Sequence, residues 1–201
     1  QKKENLIRHS VCMAGFPKIK SLAEFEFDYQ PSINKEQIYD LNSLRFIEKQ
    51  ENIVFYGNSG VGKTHLATAI GVTAAQNRNS TYFIKCADLM ETLHKAQLEG
   101  RLQERLKKFT GYKLLIIDEL GYLPITRDDS KLFFQLIDRR YERNSTIVTT
   151  NINFSQWDDI FGDPLIAGAI VDRLLHHATV VTIKGNSYRL QNFYRAEEES
   201  L

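Results

Sequence analysis

Two cysteines in 201 residues, Cys12 and Cys86, are too few for a disulfide framework, and no metal-ligand spacing surrounds either. A reduced, cytoplasmic setting is therefore the expectation. No apolar run approaches the roughly 18 residues of a membrane span, and no signal-peptide pattern is present. Charge of one sign is missing too. The 26 Lys and Arg stand against 25 Asp and Glu, a net +1, so any nucleic-acid contact must come from a local patch. There is no internal repeat, no low-complexity tract and no N-K-x-D guanine-reading stretch. The chain opens on Gln1 rather than Met, which reads as a fragment or processed product. Its length suits one α/β domain with a substantial core and is short for two.

What is present is a phosphate-binding signature in the right surroundings. Asn52-Ile-Val-Phe-Tyr56 reads as a buried strand, and Gly57-Asn58-Ser59-Gly60-Val61-Gly62-Lys63-Thr64 spells G-x-x-x-x-G-K-[ST]. The Ala-rich stretch from His65 to Ile70 reads as helix. The glycines let backbone N–H groups turn inward, and the helix N-terminus adds its positive dipole end. Lys63 would reach the β- and γ-phosphates and the Thr64 hydroxyl would bind Mg²⁺.

Around that motif strands and helices alternate, which predicts a parallel sheet with helices on both faces. Residues 1–20 read as the tail of a helix and a loop. Phe25 and Phe27 alternate with Glu24, Glu26 and Asp28, predicting an extended strap. Ile38, Leu41, Leu44 and Ile47 predict one helix over 35–49. Thr81–Ile84 reads as a strand, and Asp88 with Glu91 as a capping-box-like helix start. Gly100 interrupts before a basic helix from Leu102 to Phe109. Lys113–Ile117 reads as a strand, 129–143 as a helix and Thr146–Thr149 as a strand. Asp163-Pro164 starts a helix through Leu175, and Ala178–Ile183 makes the last strand.

Several residues suggest hydrolysis rather than binding alone. Asp118 and Glu119 end a buried strand, the edge at which open α/β sheets bind ligands. Asp118 would hold Mg²⁺ and Glu119 would polarise the attacking water; the plainer alternative is two acids opening a solvated loop. Asn151 ends the next strand and could orient the water, or be an ordinary strand-end Asn. Arg173 shares a helix face with Ile166 and Ile170. It either meets the helix C-terminus or reaches the γ-phosphate of a neighbouring subunit. Lys95, Arg101, Arg105, Lys107, Lys108 and Lys113 face only Glu99 and Glu104 along 95–113, as a phosphate-backbone patch or a solvated helix face. Arg139, Arg140 and Arg143 read as cations at a helix end. His176-His177 lacks a third ligand at metal spacing. Trp157 reads as packing.

The P-loop, Leu115–Pro124, the segment from Thr149-Thr-Asn151 to Asp163, and Asp172-Arg-Leu-Leu-His-His177 through Ser187-Tyr-Arg189 together resemble IstB. That family comprises the AAA+ helper ATPases of insertion sequences, relatives of DnaC-type helicase loaders. The similarity runs from about Phe16 to the C-terminus. It implies a five-stranded sheet of order 5-1-4-3-2, with the lid reduced to a few residues after Arg189. The residues Gly57 to His65 would bind ATP, Thr64 and Asp118 would take Mg²⁺, and Glu119 and Asn151 would act in hydrolysis. Arg173 would act in trans and Arg189 would complete the site. Residues 1–34 would be an N-terminal remnant and strap, and 35–201 the ATPase domain. The resemblance further implies self-assembly on duplex DNA and work with a cognate transposase in target choice. The alternatives are a helicase loader, which differs in its partner, and a nucleotide-gated DNA clamp with little turnover. A small-molecule P-loop kinase would not need Asn151 and Arg173.

Overall fold

The structure, a computed structural model, describes residues 2–191, with side chains from residue 7. Five parallel strands run β1 (Asn52–Gly57), β2 (Thr81–Lys85), β3 (Leu114–Leu120), β4 (Ser145–Thr150) and β5 (Ala178–Ile183). Their spatial order is β2-β3-β4-β1-β5, the expected order read from the other edge. Every pairing is parallel. Successive strand residues point to opposite faces, so each strand supplies two cores. Ile53, Phe55, Leu114, Ile116 and Ile147 face one layer, with α2 (Lys35–Asn42) and α4 (Lys63–Gln76). Val54, Leu115, Ile117 and Val148 face the other. That second layer holds α5 (Cys86–Leu98), α6 (Leu102–Gly111), α7 (Arg127–Arg140), α8 (Trp157–Phe161) and α9 (Pro164–Leu175). Helices therefore cover both faces. Trp157 is fully buried against Phe154 and Phe161.

At the N-terminus α1 (Lys2–Met13) ends in a loop that joins the sheet edge, where Phe83 donates its N–H to the Ala14 carbonyl at 2.7 Å. The strap is not extended. It forms two 3₁₀ turns, Leu22–Glu24 and Phe27–Tyr29, the first closed by Glu24 reaching back to Ser21. An alternating pattern this short does not exclude i→i+3 turns, and docking decides. The helix over 35–49 also breaks. Leu44 takes φ 68°, separating α2 from the short α3 (Arg45–Glu48), so Leu44 and Phe46 both turn inward. Asp88 is not an N-cap, because β2 passes directly into α5 at Cys86 and leaves Asp88 in the first turn, where an acid suits the helix dipole. The Asp163-Pro164 start is as expected: Asp163 accepts from the N–H groups of Leu165 and Ile166 at 3.0 and 3.3 Å.

Arg140 departs most from expectation. Rather than standing in solvent at a helix end, it is 1% exposed. Its guanidinium donates to the carbonyls of Phe109, Tyr112 and Ser145 and to the Thr146 hydroxyl. Burial pushes its pKa down to about 9, which still leaves it cationic at neutral pH. The lid residues after 191 lie outside the described residues. Among the described residues no helix is long and apolar enough to cross a membrane.

Candidate nucleotide site

β1 lies between β4 and β5, so its carboxyl end opens where neighbouring connections diverge. From there the chain runs through Gly57–Gly62 into α4. Gly62 has φ 102°, and a Cβ there would come 2.6 Å from the Phe25 ring. Gly60 has φ 80°, and a Cβ there would overlap the Ser187 hydroxyl. A side chain at either place would strain the backbone and have to displace Phe25 or Ser187. The loop is thus pinned between the strap and the segment after β5, with the Tyr188 N–H on the Gly60 carbonyl at 2.9 Å. Asn58 and Ser59 are exposed at its tip, while Val61 is buried in the core.

Lys63 turns its ammonium into the loop, donating to the Gly57 and Asn58 carbonyls at 2.7 Å each. Burial holds its pKa down at about 8, against the upward pull of Asp118 and Glu119, with Arg189 pushing further down. Thr64 donates its hydroxyl to Asp118 Oδ1 at 2.9 Å. The same oxygen accepts from the Thr149 hydroxyl at 2.6 Å. Burial raises the Asp118 pKa and the two hydroxyl bonds oppose that rise.

Glu119 comes to this side through a backbone irregularity. In β3 the register shifts between Ile117 and Leu120, and Glu119 adopts φ 61°. Neighbouring strand residues normally face opposite sides, and a bulge re-aims one of them. The turned backbone is held by the Glu119 N–H donating to Thr149 Oγ1 at 2.9 Å. The Glu119 carboxylate meets Lys85 Nζ at 3.0 Å, and that hydrogen bond raises the Lys85 pKa. Asn151 follows the end of β4, and its amide oxygen is shielded from solvent with no hydrogen-bond partner among the described residues.

A cavity of about 260 Å³ lies beside them, lined by Phe25, Lys63, Thr64, His65, Glu119 and Arg189 among others, while Asp118 and Asn151 are not among its lining residues. His65 is tied to the strap, with Nε2 2.9 Å from the Ser21 carbonyl and its ring edge-on to Phe25. Arg173 does not line this cavity. It donates to Asp138 at 2.7 Å and to the Ala169 carbonyl, and lies over the Phe134 ring. The basic stretch divides. Lys95, Arg101 and Arg105 share a groove with Asp88, Glu91 and Glu99, two of them acids from an earlier turn of α5. Lys107 lines a different groove, and Lys108 is exposed on α6.

Thr149 and Lys85 escaped the sequence reading. Thr149 had no local signal, because its contacts depend on β3 pairing with β4. Lys85 had none, because its contact depends on β2 pairing with β3. The two histidines also have a third neighbour. Ligand atoms of exposed Glu142, His176 and His177 lie within 4.8 Å of one another, joined by packing of α7 on α9 rather than by sequence spacing.

A family model described as IstB-like ATP binding protein matches residues 1–196. An insertion-sequence ATP-binding protein of Bacillus thuringiensis subsp. berliner is 61% identical, over 98% of this chain and 79% of its own. One from Pseudomonas aeruginosa is 45% identical, over 91% of this chain and 69% of its own. The chain belongs to the IstB-like ATP-binding family. The solved structure of DnaI is similar in fold, with a TM-score of 0.67 at 20% identity, over 88% of this chain and 94% of that one. This IstB-like chain is therefore an insertion-sequence-associated ATP-binding protein with an AAA+ fold.

The Lys63 amine gives a pH prediction. Phosphate charge favours the ammonium, and half of it is neutral near pH 8 before ligand arrives. ATP affinity is expected to be level below about pH 7 and to weaken above about pH 8, approaching tenfold per pH unit. Titration with a fluorescent ATP analogue across that range checks it. Lys63→Arg, which stays charged, should remove the dependence, and a level wild-type profile well into alkaline pH would refute it.

Proposed function

We propose that this chain is a Mg²⁺-dependent ATPase that assembles on duplex DNA and assists the transposase of its insertion sequence in choosing a target. The observation that carries the reading is that Lys63, Thr64 and Glu119 line one cavity, with buried Asp118 hydrogen-bonded to Thr64, while Arg173 is held elsewhere. A hydroxyl and a carboxylate oxygen 2.9 Å apart are the hard donors Mg²⁺ prefers, so Thr64 and Asp118 fit the ion. When bound, Mg²⁺ supplies charge neutralisation on phosphate oxygens. Lys63 leaves its carbonyl partners to contact the phosphates. Glu119 accepts a proton from the attacking water, Asn151 orients that water through its amide, and Arg189 meets developing charge. Thr149 keeps Asp118 and Glu119 in place.

Arg173 would complete the site of a neighbouring subunit, so turnover depends on assembly. The names of the relatives support the link to insertion sequences. Complementation tests the reading. Arg173→Ala and Lys63→Ala should each abolish duplex-stimulated phosphate release, an arginine finger alone being worth about 10³-fold or more. Mixed in equal amounts they should recover activity at about a quarter of the interfaces, where intact Lys63 meets intact Arg173 across a head-to-tail contact. Full activity of Arg173→Ala, or no recovery on mixing, would count against a shared site. Phosphate release indifferent to duplex DNA would count against the DNA-dependent reading.

A further inference from the structure

We infer that the groove between the C-terminal ends of α6 and α7 binds the phosphate backbone of duplex DNA through Lys107, Arg139 and Arg143. The groove encloses about 550 Å³ and contains no acid: besides the three cations its polar lining is Gln103, Thr110 and Asn144. Among the described residues Lys107 and Arg143 have no side-chain hydrogen bond or ion pair, and Arg139 donates only to the Gln103 amide oxygen at 2.6 Å. The inference rests on the duplex-assembly reading above and replaces its contact surface.

The ordinary explanation for cations at a helix end is that they answer the last carbonyls and the dipole. Here that partner is already taken. Buried Arg140 donates to the carbonyls of Phe109 and Tyr112 at 2.8 and 2.9 Å from inside, and Asn144 Nδ2 meets the Thr110 carbonyl at 2.9 Å. Three cations therefore gather over a helix end that a fourth has already satisfied. Arg140 adds a buried guanidinium beneath the three, bonded to carbonyls and to the Thr146 hydroxyl rather than to a carboxylate. The Thr110 hydroxyl, in the same wall, has no partner among the described residues. Two guanidinium forks and one ammonium, without a carboxylate, match non-bridging phosphate oxygens. The neighbouring groove of Lys95, Arg101 and Arg105 differs in the decisive respect. Three acids line it with three bases, and Arg101 is ion-paired to Glu99.

Topology places this surface away from the nucleotide. α6 and α7 end where β3 and β4 begin, and the P-loop lies at the carboxyl ends of the same parallel sheet. A strand of six residues separates the two edges by about 20 Å. DNA and ATP then occupy opposite ends of each subunit, and DNA would act on hydrolysis by setting neighbours in register.

The test compares two charge-matched triple variants by fluorescence anisotropy on a labelled mixed-sequence duplex, with ATP present and salt varied. Lys107→Gln/Arg139→Gln/Arg143→Gln should lose on the order of tenfold per phosphate contact at about 0.1 M salt. The slope of log affinity against log salt should flatten by about 0.9 per contact. Lys95→Gln/Arg101→Gln/Arg105→Gln should change far less. Arg139→Lys/Arg143→Lys keeps the charge and should retain most of the binding, which separates lost contacts from misfolding. Equal losses in the two triples, or none in the groove triple, would overturn the groove while leaving duplex binding standing. Absence of wild-type duplex binding would remove both readings.

Discussion

Glu119→Gln is expected to bind ATP as tightly as the wild type and to hydrolyse it at least about 10²-fold more slowly. The substitution is nearly isosteric. The bulge that re-aims residue 119 is held by its backbone N–H on Thr149 Oγ1, which the variant keeps, so the site geometry survives. The amide can still accept from Lys85, but it cannot take a proton from water. Single-turnover phosphate release with parallel nucleotide titration measures the two effects separately. A wild-type rate would show that Glu119 is not the base. The same variant distinguishes the ATPase from a nucleotide-gated clamp. If hydrolysis drives release from DNA, the variant should remain on duplex longer than wild type. Equal lifetimes with no functional loss would favour the clamp, in which binding alone does the work.

The parts of the molecule written into local pattern were readable, and the parts created by packing were not. Short apolar or β-branched runs marked all five strands, and the P-loop identified which strand stands at the opening. Asp163-Pro164 marked a helix start because capping is a matter of adjacent residues. By contrast, Phe25 is defined by what it touches. Its ring closes over Gly62 and stands edge-on to His65 and Phe27, and only 3₁₀ turns deliver it there. The roles of Lys85 and Thr149 arise from strand neighbours whose register no local pattern announces. At the end of α7 three arginines looked alike. The periodicity did hold a clue, since Phe133, Leu136, Ile137 and Arg140 fall on one helical face, and the first three are core. Position, not residue type, separates Arg140 from its neighbours.

That separation leads to the largest expected effect on stability. Arg140→Ala should destabilise the fold by about 3–5 kcal/mol, because it strands buried acceptors on three segments at once. The carbonyls of Phe109 and Tyr112 close α6 onto β3, while the Ser145 carbonyl and the Thr146 hydroxyl begin β4. Asn144 adds one further link between the two ends, from its Nδ2 to the Thr110 carbonyl. For a domain of this size each kcal/mol lowers the melting midpoint by roughly 2–4 °C, so a drop on the order of 10 °C is expected. Arg140→Lys should recover only part, since one ammonium has three donors and no planar fork. Arg139→Ala, which gives up a single exposed bond, should stay within about 0.5 kcal/mol. Thermal and urea unfolding of the three variants provide the comparison, and a wild-type midpoint for Arg140→Ala would show that the buried guanidinium is not holding the segments. Function should follow stability here. Arg140 fixes where β3 and β4 start, the same two strands carry Asp118 and Thr149 toward their far ends, and a slip at one end is transmitted along a paired register to the other.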